Sequence, residues 1–178
     1  YFRQFSRLID LLQKLTDFYK EPLGTREAAR DKALFLKDVI ENKGGHRIFY
    51  NKGKPIERES DLQILYRLVW HGTSFDVGRE VNDGRGPADF KVSKGAKGKT
   101  LVEMKLASNT ALQRNLENQA PIYQRASDAE HAIKVILFFT AAEGNKVMKV
   151  LRHLKIDKSD DIILIDARWD NKPSGSKA

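Results

Sequence analysis

The chain contains no cysteine. Disulfides and thiolate metal sites are thereby excluded, and the absence suits a reducing cytoplasm, where we expect the protein to work. No apolar run approaches the roughly 20 residues that a bilayer span needs, and no signal-peptide pattern opens the sequence, so no membrane partner is expected. Histidine is scarce. His46, His71, His131 and His153 show no HxxxH or other metal-ligand spacing and read as structural or surface residues. Internal repeats are missing, and the longest low-complexity stretch is the polar end WDNKPSGSKA. Acid is in deficit: 24 Asp and Glu stand against 32 Lys and Arg, a net charge of +8, which favours a polyanionic partner, nucleic acid first. The sequence also opens on Tyr1 rather than Met, within a helical pattern, and we expect it to continue from a missing upstream region.

What is present is enough for one globular domain with a real core. Phe5, Leu8, Ile9, Leu12, Leu15 and Tyr19 recur at helical spacing, Pro22 and Gly24 end that stripe, and Thr25 opens a second helix running to about Glu41. Residues 1–45 are therefore expected to form an N-terminal helical extension. HRIFYNKGKPI suggests a short strand and turn, and Glu59 to Trp70 a helix with Leu62, Leu65, Tyr66 and Val69 on one face. SFDVGREV, PADFKVS and TLVEMKL read as three successive strands close enough to pair as a meander. Asn109 to Ser127 is helical in character but interrupted by Pro121. AIKVILFFT has the continuous apolar character of a strand buried on both faces. Lys146 to Leu154 reads as helix and DIILIDA as a last buried strand. The order describes an α/β domain over 46–170, followed by a polar tail, 171–178.

The charges of the central hairpin are unusual. Alternation puts Glu103 and Lys105 on one face of their strand and Val102, Met104 and Leu106 on the other. In the preceding strand Phe90 and Val92 are the apolar pair, leaving Asp89 and Lys91 opposite. A tight loop centred near Ala96 sets Asp89 across from Glu103, and a one-residue slip would turn Phe90 and Val92 onto the polar face. Adjacent carboxylates repel unless a cation or a proton lies between them. A hard divalent ion such as Mg²⁺ takes one or two carboxylates plus water and phosphate, and Lys105 could then reach that water or the phosphate. An exposed face carrying a simple Glu–Lys pair would use the same three residues.

Wider context favours the first alternative. The sequence resembles the PD-(D/E)xK nuclease superfamily: Pro87-Ala88-Asp89 is similar to its PD element with one residue inserted, and Glu103-Met104-Lys105 to its ExK. Gly84-Arg85-Gly86-Pro87-Ala88-Asp89 resembles the glycine-rich lead of some members, and Gln119-Ala120-Pro121-Ile122-Tyr123 a QxxxY motif. The resemblance covers about 80 residues. It implies a restriction-endonuclease-like αβββαβ core with the N-terminal helical extension outside it.

It also implies a Mg²⁺-dependent deoxyribonuclease, with Mn²⁺ as a substitute ion. Asp89, Glu103 and the backbone carbonyl of Met104 would hold the metal, and Lys105 would position or activate water. Gln119 and Tyr123 would complete the catalytic set. Many members add a glutamate from the helix before the first core strand, for which Glu59 is the candidate and Glu57 and Asp61 its competitors. Arg85, Lys91 and Arg125 are candidate phosphate contacts. DNA is the expected partner ahead of RNA, together with other domains of a parent protein, and a homodimer is compatible. Restriction, repair and antiphage defence all suit such an enzyme. The competing readings are a nuclease-like domain that only binds nucleic acid or a partner protein, and an interaction scaffold.

Overall fold

A computed structural model describes residues 24–82, 87–95, 97–117, 129 and 131–172. Helix α1 (Thr25–Asn42) leads through a 3₁₀ turn (Gly45–Phe49) into a two-strand ribbon, β1 (Tyr50–Asn51) and β2 (Lys54–Pro55). Helix α2 (Glu59–Leu68) then precedes β3 (Asp76–Asn82), β4 (Pro87–Lys94) and β5 (Lys97–Leu106). Residues 112–117 are helical. Strand β6 (His131–Phe138), helix α3 (Ala141–His153) and β7 (Ile162–Asp166) complete the order.

The five longer strands make one mixed sheet in the order β3-β4-β5-β6-β7. The first three pair antiparallel, as the short connections require, and β5, β6 and β7 pair parallel across helical crossovers. Helices cover both faces. On one, Phe90, Val92, Val102, Met104, Leu106, Val135 and Ile165 pack with Ala28, Ala33 and Leu36 of α1 and Leu62 and Tyr66 of α2. On the other, Ile136 packs with Leu112, Leu116, Val147 and Leu151. The chain is thus a mixed α/β domain in three layers. No helix among the described residues is long and apolar enough to cross a membrane.

The boundary expected near residue 45 needs correction. Helix α1 is no appendage to a separate domain, because its buried face belongs to the main core. Polar contacts fix it at both ends. Thr25 Oγ1 lies 2.9 Å from Thr100 Oγ1 of β5, while Glu41 Oε1 accepts the Asp166 N–H at 2.8 Å. The stripe of alanines lets α1 approach the sheet closely. At its end the chain turns tightly enough that a Cβ on Gly45 would sit 2.8 Å from the Val39 carbonyl oxygen. The remainder of the expected extension, residues 1–23, lies outside the described residues. So does most of the tail, although Lys172 still donates to the Asp166 carbonyl at 2.8 Å.

Helix α3 starts five residues before the expected Lys146. Its first turn is fixed by a capping box: Thr140 Oγ1 accepts the Glu143 N–H at 3.1 Å and Glu143 Oε2 accepts the Thr140 N–H at 3.2 Å. Thr140→Ala removes one acceptor from an exposed helix start and should cost about 1 kcal/mol, read as a lower urea midpoint with unchanged slope.

Candidate active site

The β4–β5 register runs through Val92↔Thr100, Lys91↔Leu101 and Phe90↔Val102. The ladder ends at that last pair, one residue short of the Asp89–Glu103 pairing expected from the hydrophobic alternation. Beyond Val102, the Met104 N–H donates to Asp89 Oδ2 at 2.6 Å. A side-chain carboxylate therefore meets the backbone of the neighbouring strand here. Gln63 of α2 also hydrogen-bonds Asp89, while its Oε1 accepts Arg79 Nη2 at 3.3 Å.

Helix α2 delivers a second carboxylate from its first turn. Lys105 Nζ donates to Glu59 Oε2 at 3.3 Å. Glu59 Oε1 accepts the Leu106 N–H at 3.3 Å and Asn109 Nδ2 at 3.0 Å. Asn109 in turn accepts the Ala111 N–H at 2.9 Å, which ties the start of the 112–117 turn to the same cluster. Of the three acids considered for this place, Glu59 reaches Lys105, whereas Glu57 and Asp61 are exposed.

Parallel pairing supplies the last member. Glu103 is directly beside Lys134 of β6, so both side chains leave the sheet on one face. Glu103 is only 6% exposed and Lys134 4%. Lys134 Nζ also donates to the Asn115 carbonyl at 3.4 Å. An exposed surface pair is therefore not the arrangement adopted: these charges are covered by the second helical layer.

Burial sets the electrostatics. Removal from water pushes Asp89 above the usual carboxylate range, against the opposing pull of the Met104 N–H and Lys105. The same cause raises Glu103, with Lys105 and Lys134 opposing. Burial disfavours the Lys105 ammonium too, but Asp89, Glu59 and Glu103 outweigh it and hold its pKa above the ordinary value. Burial depresses Lys134, and Glu103 restores only part of the loss. Three acids stand against two lysines. One further positive charge, or a proton, balances the cluster.

Among the described residues no three His, Cys, Asp or Glu side chains form a ready cage for a metal ion. A Mg²⁺-like ion does not require one, since it keeps several waters and needs only one or two protein carboxylates. The donor set fits that demand through Asp89, half-buried, and Glu103, buried, two acids on neighbouring strands whose pKa values are raised chiefly by removal from water.

Lys91 is half-buried in β4, two residues from Asp89 and on the same strand face, opposite Leu101. Arg85, Gln119, Tyr123 and Arg125, and with them the QxxxY motif and two of the three candidate phosphate contacts, lie outside the described residues. Three members were missed in the sequence, Asn109, Gln63 and Lys134. Gln63 is one turn after Glu59 on the same helix, a spacing that shares a face. Lys134 is the single charge within AIKVILFFT, and a charge buried in such a strand calls for a partner.

The fold and its cluster define a mixed α/β domain in which buried Glu103 and Lys134 adjoin half-buried Glu59, Asp89 and Lys105. Residues 25–141, well over half of the chain, match the family described as Domain of unknown function (DUF8371), and the chain belongs to that family. No curated protein and no solved structure matches it.

Proposed function

We propose that this domain is a divalent-metal-dependent phosphodiesterase acting on nucleic acid, DNA ahead of RNA, with a restriction-endonuclease-like core of the PD-(D/E)xK kind. The observation that carries this reading is the meeting of Asp89, Glu103 and Lys105 in one partly buried electrostatic cluster at the β4–β5 hairpin. The helix before β3, the antiparallel β3–β5 meander and the parallel β6 agree with the αβββαβ order.

Asp89 and Glu103 would hold Mg²⁺, or Mn²⁺ in its place, with the Met104 carbonyl as a backbone ligand. When bound, the ion would supply Lewis-acid polarisation of the phosphoryl group and ease deprotonation of water. Lys105 has a different task. Its raised pKa keeps it protonated at neutral pH, so it holds a phosphate oxygen and offsets developing negative charge rather than removing a proton from water. Glu59 already accepts three donors and serves to hold Lys105 in position. Gln63 orients the Asp89 carboxylate, and Lys134 favours the ionised form of Glu103 against the effect of burial. Such an activity suits restriction, repair or antiphage defence as one domain of a larger protein.

A second reading has its own observation. Met104, Leu106 and Asn109 donate hydrogen bonds to Asp89 and Glu59, so these acids also hold the backbone in place. In a domain that only binds nucleic acid or a partner protein, they would do that alone. Incubation of plasmid and single-stranded DNA with Mg²⁺ or Mn²⁺ separates the two. Cleavage that EDTA stops and Glu103→Ala abolishes supports the enzyme. DNA binding without cleavage under either metal supports the binding module.

Lys134 provides a graded test. Its ammonium pulls the Glu103 pKa down. Lys134→Met should therefore raise that pKa, and since cleavage needs ionised Glu103, the acid limb of the pH–rate profile should move to higher pH. An unmoved limb in a folded variant would remove Glu103 from the rate law.

A further inference from the structure

A groove of about 520 Å³ opens beside the acid–lysine cluster, between the outer side of α2 and strand β3 with the segment that leads into it. Gln63 belongs to both places, lining the groove while hydrogen-bonding Asp89. Apolar side chains from two elements line it: Ile64 and Leu68 of α2, 53% and 64% exposed, and Phe75 from the approach to β3. Arg67 and Arg79 are cationic side chains of the same lining, which includes no acidic residue among the described residues. Lys94 adds a third cation, its Nζ 4.9 Å from the centroid of the Phe75 ring.

We propose that this groove binds an unpaired nucleic-acid strand running on from the scissile phosphate, with bases against Ile64, Leu68 and Phe75 and phosphates at Arg67, Arg79 and Lys94. The proposal rests on the phosphodiesterase reading of the adjoining cluster and supplies its substrate class. Apolar surface beside cationic side chains is the combination that single strands require, because an unpaired base offers a flat apolar face and each nucleotide a phosphate. A duplex keeps those faces stacked inside. It would satisfy the arginines but leave Ile64 and Leu68 against water.

The test is binding in EDTA, where nothing is cleaved, using fluorescence anisotropy of the intact chain. The probes are an oligo-dT of about 15 nucleotides and a hairpin duplex of similar length. Wild type should prefer the single strand by about tenfold, and Leu68→Asp with Arg67→Ala should remove about that factor. Arg67→Ala alone, an exposed change that leaves the core intact, should reduce the slope of log K against log salt by about 0.7 on the single strand. Equal affinity for both probes, or groove variants that bind as wild type does, would overturn the proposal. So would a dimer that Leu68→Asp dissociates, which would give the groove to a second copy of the chain. Cleavage is read separately with Mg²⁺. Failure of the groove variants to lose binding while cleavage persists sinks the groove alone. Selective single-strand binding with no cleavage under any metal sinks the phosphodiesterase and leaves the groove as a binding site.

Discussion

Lys105→Met should lower the rate of Mg²⁺-dependent DNA cleavage by about 10²–10³-fold, the loss that follows removal of one preorganised donor to developing charge. The substitution keeps the length and much of the apolar stem while deleting the ammonium. Lys105 is bonded to Glu59 at 3.3 Å and surrounded by Asp89, Glu59 and Glu103, which keep it charged. Because the group acts as a fixed cation rather than a titrating base, the pH–rate profile of the residual activity should keep its shape. Loss of a basic limb in the variant would mean that Lys105 takes a proton in the reaction. The loss should fall on kcat more than on KM, since the charge that Lys105 offsets grows toward the transition state. Some structural cost is expected as well, because Glu59 would lose the Lys105 ammonium while keeping the Leu106 and Asn109 donors.

Asp89→Asn should have two effects of opposite sign. Cleavage should fall by about 10²–10⁴-fold, corresponding to the several kcal/mol that a metal contributes to an oxygen displacement. Thermal stability in metal-free buffer should rise at neutral pH. Burial holds Asp89 and Glu103 above their unfolded pKa values, so the stability they contribute is full below the unfolded value and is lost as pH rises through the folded one. An asparagine escapes that loss and can still accept the Met104 N–H through its amide oxygen. Its Tm should therefore exceed that of wild type by on the order of 2–4 °C at pH 7, with the difference vanishing in acid. A gain in stability combined with loss of activity is the behaviour of a residue kept for chemistry. If Asp89→Asn is less stable than wild type at every pH, the carboxylate serves the fold instead.

Much of the hairpin is legible in the sequence because period-two alternation admits one register. Phe90 and Val92 must share a buried face with Val102 and Met104, and that alone fixes the Phe90↔Val102 register one residue before Asp89 and Glu103. The mixed sheet is legible for a similar reason: short links join β3, β4 and β5, and helical stretches separate the later strands. What alternation leaves open is which element covers each face. The alanines of α1 carry a weak hydrophobic signal, so the sequence gives no reason to place that helix in the core rather than on an extension. Ala28, Ala29 and Ala33 are small because the helix lies close to the sheet, a tertiary fact. The start of α3 could have been found from Thr140 and Glu143, which have capping-box spacing, but Gly144 weakens the helical pattern there. Within the site, the ExK spacing marks Glu103 and Lys105, whereas Lys134 is hidden by its apolar neighbours in β6. Its relation to Glu103 follows from parallel register and has no sequence-local signature.

The central claim is that Asp89 and Glu103 together take one divalent ion. Titration of Mn²⁺ into the metal-free protein, followed by calorimetry and by the loss of the free-ion electron paramagnetic signal, measures it without relying on any substrate. One Mn²⁺ per chain, displaced by Mg²⁺ and lost in both Asp89→Asn and Glu103→Gln, is the predicted result. Saturable binding that survives both substitutions, or no binding by a folded wild-type chain with and without DNA, would contradict it.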